Sequence, residues 1–140
     1  MELREIADRL ALRELVERYA RAVDSRDYEL AERLFLEDGE LVGADFSLRG
    51  AAAIAKAMRR VERYVSTFHC IHNQLLELEP DQASGETTCT AHHVYEKDGE
   101  RRKLAWGIRY QDRYQRSGDG WRFARRELQV QWTQDLPLES

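Results

Sequence analysis

A change of hydrophobic period at Thr67 constrains the fold of this chain more than any other feature. Before it, Ile6, Leu10, Leu12, Leu15, Val16, Tyr19, Ala20 and Val23 recur at helical steps, with Glu and Arg between them. Neither proline nor glycine interrupts the first 36 residues. After it the period is two, and four strands are expected: Phe68–Glu79, Glu86–Glu96, Lys103–Arg116 and Trp121–Thr133. Their breaks carry turn chemistry, in the runs Pro80 to Gly85, Lys97-Asp98-Gly99 and Ser117-Gly118-Asp119-Gly120. Helices first and long antiparallel strands afterwards make an α+β chain. Such long strands must curl to bury one face, and the helices are there to cover it. A bent sheet around helices, with room for a cavity between them, is the expected architecture.

Within the helical part, Asp24-Ser25-Arg26-Asp27 reads as a corner. Asp27 is placed to cap a second helix through Tyr28, Leu30, Ala31, Leu34 and Phe35, ended by Glu37-Asp38-Gly39-Glu40. A short strand, Leu41 to Phe46, then leads to Gly50 and a third helix carrying Ile54, Met58 and Val61. With no linker or repeat, the 140 residues read as one domain, 1–140. The 22 basic and 26 acidic side chains give a net charge of −4 with mixed signs, which argues against a nucleic-acid partner. No apolar run reaches the roughly 18–20 residues of a membrane span, so no membrane partner is expected. The charged opening Met1-Glu2-Leu3-Arg4-Glu5 does not read as a secretory leader. Cys70 and Cys89 form no CxxC, and a reduced, cytoplasmic protein is the expectation.

Candidate functional residues are polar groups where the pattern asks for apolar ones. In the last strand, alternation places Ala124, Arg126, Leu128, Val130 and Trp132 on one buried face, so Arg126 points inward. A guanidinium there needs either an ion-pair partner or a polar cavity. His69, Ile71, Asn73 and Leu75 share one face of the first long strand, but both of its faces are mixed. By itself His69 reads as a structural histidine, Asp24 as a capping or turn residue and Tyr19 as a core aromatic, and spacing alone promotes none of them to a catalyst. The pairs His69/His72 and His92/His93 diverge from a strand, so no metal site is expected. No glycine-rich phosphate loop or GxSxG nucleophile motif is present, and no cofactor is expected.

Three stretches carry a family resemblance: Arg13 to Tyr28, Thr67-Phe68-His69-Cys70-Ile71-His72-Asn73, and Tyr110 to Tyr114 with Gly120 to Arg126. In order and spacing they resemble SnoaL-like proteins of the NTF2-like superfamily. The resemblance implies a cone of curved antiparallel (mixed) sheet on three helices, with a deep pocket at its open end. Within the superfamily the chain looks like the branch of hexachlorocyclohexane dehydrochlorinase, scytalone dehydratase and the bile-acid dehydratase. Carried over residue by residue, that branch implies Asp24 and His69 as a catalytic pair, with Arg126 assisting. Tyr19 matches the tyrosine of the bile-acid dehydratase and stands where the dehydrochlorinase has lysine. A second histidine of scytalone dehydratase would fall on His92 or His93.

The expected function is thus cofactor-independent acid–base chemistry on a compact hydrophobic molecule, as a dehydratase or dehydrohalogenase. His69 would take a proton from carbon, Asp24 would orient it, Tyr19 would donate a hydrogen bond, and Arg126 would stabilise developing charge. Asn73, Cys89, Ala91, His93, Trp106, Ile108, Tyr110, Leu128 and Val130 are the expected substrate-binding residues. An isomerase or polyketide-cyclase-like enzyme with the same pair, and a binding or dimerisation module without catalysis, are the alternatives. The expected partners are a small hydrophobic substrate and further copies of the chain, as homodimer or homotrimer.

Overall fold

The computed structural model describes residues 1–118 and 120–139. Helix α1 (Leu3–Ser25) buries Leu12, Leu15, Val16, Tyr19, Ala20, Ala22 and Val23, while Ile6 and Leu10 in its first half are exposed. Arg26, in the left-handed region at φ 56°, turns the chain out of α1 and into α2 (Tyr28–Arg33). The Asp27 carboxylate accepts the Leu30 amide at 3.1 Å, the N-cap expected from its position. Asp27→Ala should cost about 1 kcal/mol, read as a lower urea midpoint with an unchanged m-value.

The second helix is shorter than its apolar pattern suggests. Strand β1 (Phe35–Val42) begins immediately after it, and the expected stop at residues 37–40 is part of that strand. The reason is tertiary pairing: fully buried Phe35 lies beside Phe123 of β6 (Gly120–Pro137), and the Phe123 amide donates to the Leu34 carbonyl at 2.8 Å. The polar run occupies a register shift between Phe35 and Glu40. Strand β2 (Ser47–Arg49) pairs back on β1 and was not expected. Gly50, at φ 98°, then opens α3 (Ala51–Met58), which continues as a 3₁₀ turn, Arg59–Arg63.

Strands β3 (Ser66–Leu78), β4 (Gln82–Lys97), β5 (Glu100–Ser117) and β6 form the expected antiparallel run. The six strands lie in the order β2-β1-β6-β5-β4-β3, with β1 parallel to β6, making a mixed, curved and unclosed sheet. The helices lie on its concave face and share its core. Asp8 ties α1 to the β5–β6 hairpin, accepting Arg116 at 2.8 Å and the Trp121 indole at 3.1 Å.

Bulges decide which side chains face inward. In β6 one lies at Ala124, because Phe123 pairs with Tyr114 and Arg125 with Arg113. It brings Trp121 and Phe123 to the same face as Arg126, which simple alternation does not allow. A second, between Val130 and Trp132, sends Trp132 to the outer face, where its indole covers Gly107. In β3 the register shifts between Ile71 and Gln74, so the inward set is His69, Ile71, Gln74, Leu76 and Leu78. Asn73 and Leu75 leave the His69 face and are exposed, correcting the alternation. No helix among the described residues is long and apolar enough to cross a membrane.

Candidate functional site

The last turn of α1 delivers Asp24 to the start of β3, where three donors converge on its carboxylate. The His69 ring Nδ1 lies 2.6 Å from Oδ1, the His69 amide donates to Oδ2 at 2.7 Å, and the Thr67 hydroxyl donates to Oδ1 at 2.9 Å. Both oxygens are thus committed to β3 rather than to a helix cap. Burial pushes the Asp24 carboxyl up, but the His69 and Thr67 donors outweigh it and hold the group below the ordinary aspartate value. An ionised carboxylate only accepts, so Nδ1 carries the proton and Nε2 is the ring nitrogen not engaged by Asp24. Because the folded value is depressed, the stability from this pair is complete above the unfolded value of about 3.9 and is lost as pH falls through the folded one. Asp24→Asn should flatten that acid limb, measured as urea midpoints from about pH 5 to pH 3.

His69 lines a cavity of about 240 Å³ between the sheet and the helices. The sheet supplies His93, Trp106, Ile108, Tyr110 and Leu128, and α1 supplies Tyr19 and Val23. The opposite wall comes from β1–β2, from Ile54 and Met58 of α3 and from Val61 of the 3₁₀ turn that follows it. Tyr19 is braced edge-on by Phe35, Tyr110 and Phe123 at 5.9–6.2 Å between ring centroids. Burial raises the Tyr19 hydroxyl above its ordinary value, so it is a hydrogen-bond donor at neutral pH.

The histidine left undecided by the sequence is resolved. His93 faces inward, packed at a tilt against Tyr64 at 4.7 Å and Trp106 at 4.3 Å, with its ring centroid 6.2 Å from that of His69. Its Nδ1 donates to the Leu104 carbonyl at 3.0 Å, which leaves Nε2 as the acceptor. Burial lowers the His93 value and keeps the ring neutral.

Other expected binding residues lie elsewhere. Cys89 and Ala91 are on the inner face but buried in the core, outside the cavity wall, and burial pushes the Cys89 thiol up to about 12. Val130 pairs with inward Ile108, yet is 45% exposed and does not line the cavity. Asn73 is outside it because of the β3 bulge, and its amide donates to the Thr88 hydroxyl.

Arg126 requires the largest correction. It does not open onto the cavity; it is 0% exposed, with Nε 3.0 Å from Asp112 Oδ1. Its guanidinium lies 3.5 Å from the Tyr110 ring centroid and 4.4 Å from that of Tyr19, so the two tyrosines separate it from the cavity. The Thr87 and Tyr114 hydroxyls complete the Asp112 carboxylate at 3.4 and 3.1 Å. Burial pushes that carboxyl up and Arg126 pulls it back, while the guanidinium keeps its proton. The ion-pair reading of Arg126 therefore describes its contacts. Sequence reasoning did not find Thr67, Tyr64 or Asp112. An acid at an inward position of β5, opposite an inward arginine on β6, was the legible signal for the last.

Known proteins share this frame. An uncharacterized protein of Mycobacterium tuberculosis is 27% identical over 134 residues, covering 90% of this chain and 87% of its own. A candidate scytalone dehydratase of Novosphingobium aromaticivorans superposes with a TM-score of 0.86 at 24% identity, over 97% of this chain and 92% of its own. A hexachlorocyclohexane dehydrochlorinase of Novosphingobium barchaimii does so at 0.83 and 19% identity, over 100% and 96%. The family model of the SnoaL-like domain matches residues 4–127, a span running from α1 into β6 and holding every cavity-lining side chain named above except Leu128, and the chain accordingly belongs to the SnoaL-like family.

Proposed function

We propose that this SnoaL-like protein is a cofactor-independent lyase that eliminates water or halide from a compact apolar molecule. The observation that carries the reading is the 2.6 Å contact between Asp24 and His69, a histidine in the wall of an apolar cavity. A neutral imidazole is a modest base, so the carbon it deprotonates must be acidified by a neighbouring carbonyl or by departure of the leaving group. His69 Nε2 takes the proton, the C–H pair becomes the new double bond, and the bond to the leaving group breaks. Asp24 holds the reactive tautomer and stabilises the imidazolium, a geometry familiar from other His–Asp pairs. The Tyr19 hydroxyl donates to the carbonyl or leaving oxygen.

Arg126 takes a different part from the one first expected. Its charge beneath Tyr19 opposes the effect of burial on that hydroxyl and strengthens it as a donor, so Arg126 is a positioning residue acting through Tyr19. The test is mass spectrometry of products from a panel of β-hydroxy and β-halo carbonyl compounds. Loss of water or hydrogen halide, dependent on His69, supports the lyase. Conversion at constant mass would replace it with an isomerase, and bound but unchanged compounds with a binding module.

We further propose a homodimer or homotrimer joined through the convex sheet face. Phe68 is 68% exposed and Trp132 50% exposed on that face. Sedimentation at micromolar concentration should show the assembly, and Trp132→Glu should shift it towards monomer. A wild-type monomer under those conditions would remove the proposal.

A further inference from the structure

The rim of the cavity carries a charge pattern that chemistry at its floor does not use. On the α3 side the lining includes the exposed side chains Arg60 and Arg63. Lys56 and Arg59 stand on the adjoining surface, around a shallow depression that shares Leu48, Ala57 and Arg60 with the cavity wall. Residues 56–63 thus present four basic side chains against one acid, Glu62. Glu62 is already engaged, by Arg59 at 3.5 Å and by the Tyr28 hydroxyl at 2.7 Å. Arg59 is held over the Tyr28 ring at 4.3 Å.

Arg60 and Arg63 are different. Arg63 donates from Nε to the Arg60 carbonyl at 3.1 Å, which holds the two residues together. Among the described residues, neither guanidinium has a carboxylate within ion-pair distance, although acids outnumber bases in the chain. A line of rings connects this rim to the proposed base. The Arg63 guanidinium lies 5.9 Å from the Tyr64 ring, Tyr64 packs at a tilt on His93 at 4.7 Å, and His93 is 6.2 Å from His69. The interior offers no second cation to an anion: Arg126 is sealed behind the tyrosines, and Asp24 brings negative charge to the floor. An anion is therefore stable at the mouth and costly inside.

Resting on the acid–base reading of the same cavity, we infer that its substrate has an apolar body and one anionic end, with the body against His69 and the anion held between Arg60 and Arg63. Planar guanidinium donors suit a carboxylate or phosphate oxygen pair, and a fixed charge at the mouth sets which carbon meets Nε2.

The test is calorimetric titration of the intact protein with 2-naphthoate, 2-naphthyl phosphate and the neutral 2-naphthamide. At low salt at least one anion should bind about tenfold more tightly than the amide, an advantage that shrinks as salt is added. Which anion is preferred identifies the end group. Arg60→Gln and Arg63→Gln should each weaken the anion about fivefold and leave the amide unchanged. Arg122→Gln, an exposed arginine on β6, should change neither. Equal binding of all three, no binding of any, or a preference that survives removal of both rim arginines overturns the inference. The titrations are repeated with His69→Ala. A retained anion preference without any turnover by the wild-type protein would refute the lyase and leave this inference standing. Turnover of neutral compounds with no anion preference would do the reverse.

Discussion

His69→Ala should reduce elimination by at least about 10²–10⁴-fold, the usual contribution of a positioned general base, with the protein still folded. The ring fills part of a cavity wall, and its loss enlarges that cavity rather than breaking a core layer. Asp24→Asn tests the partner. An asparagine side chain keeps the shape, but presents either its carbonyl or its amide nitrogen to Nδ1. With the amide turned towards the ring, the tautomer reverses and Nε2 carries the proton, so the base is lost although its geometry persists. Even with the carbonyl turned towards it, the imidazolium formed in the reaction has lost its counter-charge. Asp24→Asn should therefore cost nearly as much as His69→Ala, and the double variant should be little worse than either, because the two act as one unit. Additive effects in the rate, or full activity of a folded Asp24→Asn protein, would return Asp24 to a purely structural role. Tyr19→Phe should be milder, since it removes one hydrogen bond and retains the aromatic packing.

The period change at Thr67 was enough to read the helices and the four long strands, because burial of one face imposes itself on every second residue over such lengths. The edge of the sheet was not legible. Leu34-Phe35-Leu36 fits the end of a helix as well as the start of a strand, and pairing with β6, some ninety residues later, decides between them. The site shows the same division. Residues next to regular helix or strand, such as Tyr19, His69, Tyr110 and Leu128, fall on the cavity as their alternation or family pattern implied. Asn73 and Val130 do not: Asn73 follows a register shift, and Val130, although paired with inward Ile108, is exposed; Trp132, expected on the buried face, follows another shift to the outer one. A bulge reverses the meaning of every later odd or even number, and nothing in the local composition of β3 or β6 announces it. Arg126 was found by its polarity in an apolar row. Its partner Asp112 was overlooked, and with it the fact that the charge is satisfied beneath the cavity instead of inside it.

That buried pair carries the largest stability effect to be expected in the molecule. Asp112→Ala should cost about 3–5 kcal/mol, because it leaves a guanidinium with no counter-ion among Tyr19, Tyr110 and Phe123. The pair is already imperfectly satisfied: Arg126 Nη1 and Nη2 are buried without hydrogen-bond partners, and the aromatic faces are their compensation. Removing both charges is a different matter. Arg126→Met combined with Asp112→Leu replaces two ions by apolar groups of similar length, removes their desolvation cost and should recover most of the loss. The Thr87 and Tyr114 hydroxyls lose their acceptor in that variant, which sets the limit to the recovery. Urea unfolding of the single and double variants measures both parts. The double variant also separates packing from electrostatics at the site. If the Arg126 charge acts through Tyr19, a refolded and stable double variant should still show a lower kcat, and adding Tyr19→Phe to it should have less effect than in the wild-type background. Equal effects of Tyr19→Phe in the two backgrounds would leave Arg126 as a structural ion-pair partner with no part in the chemistry.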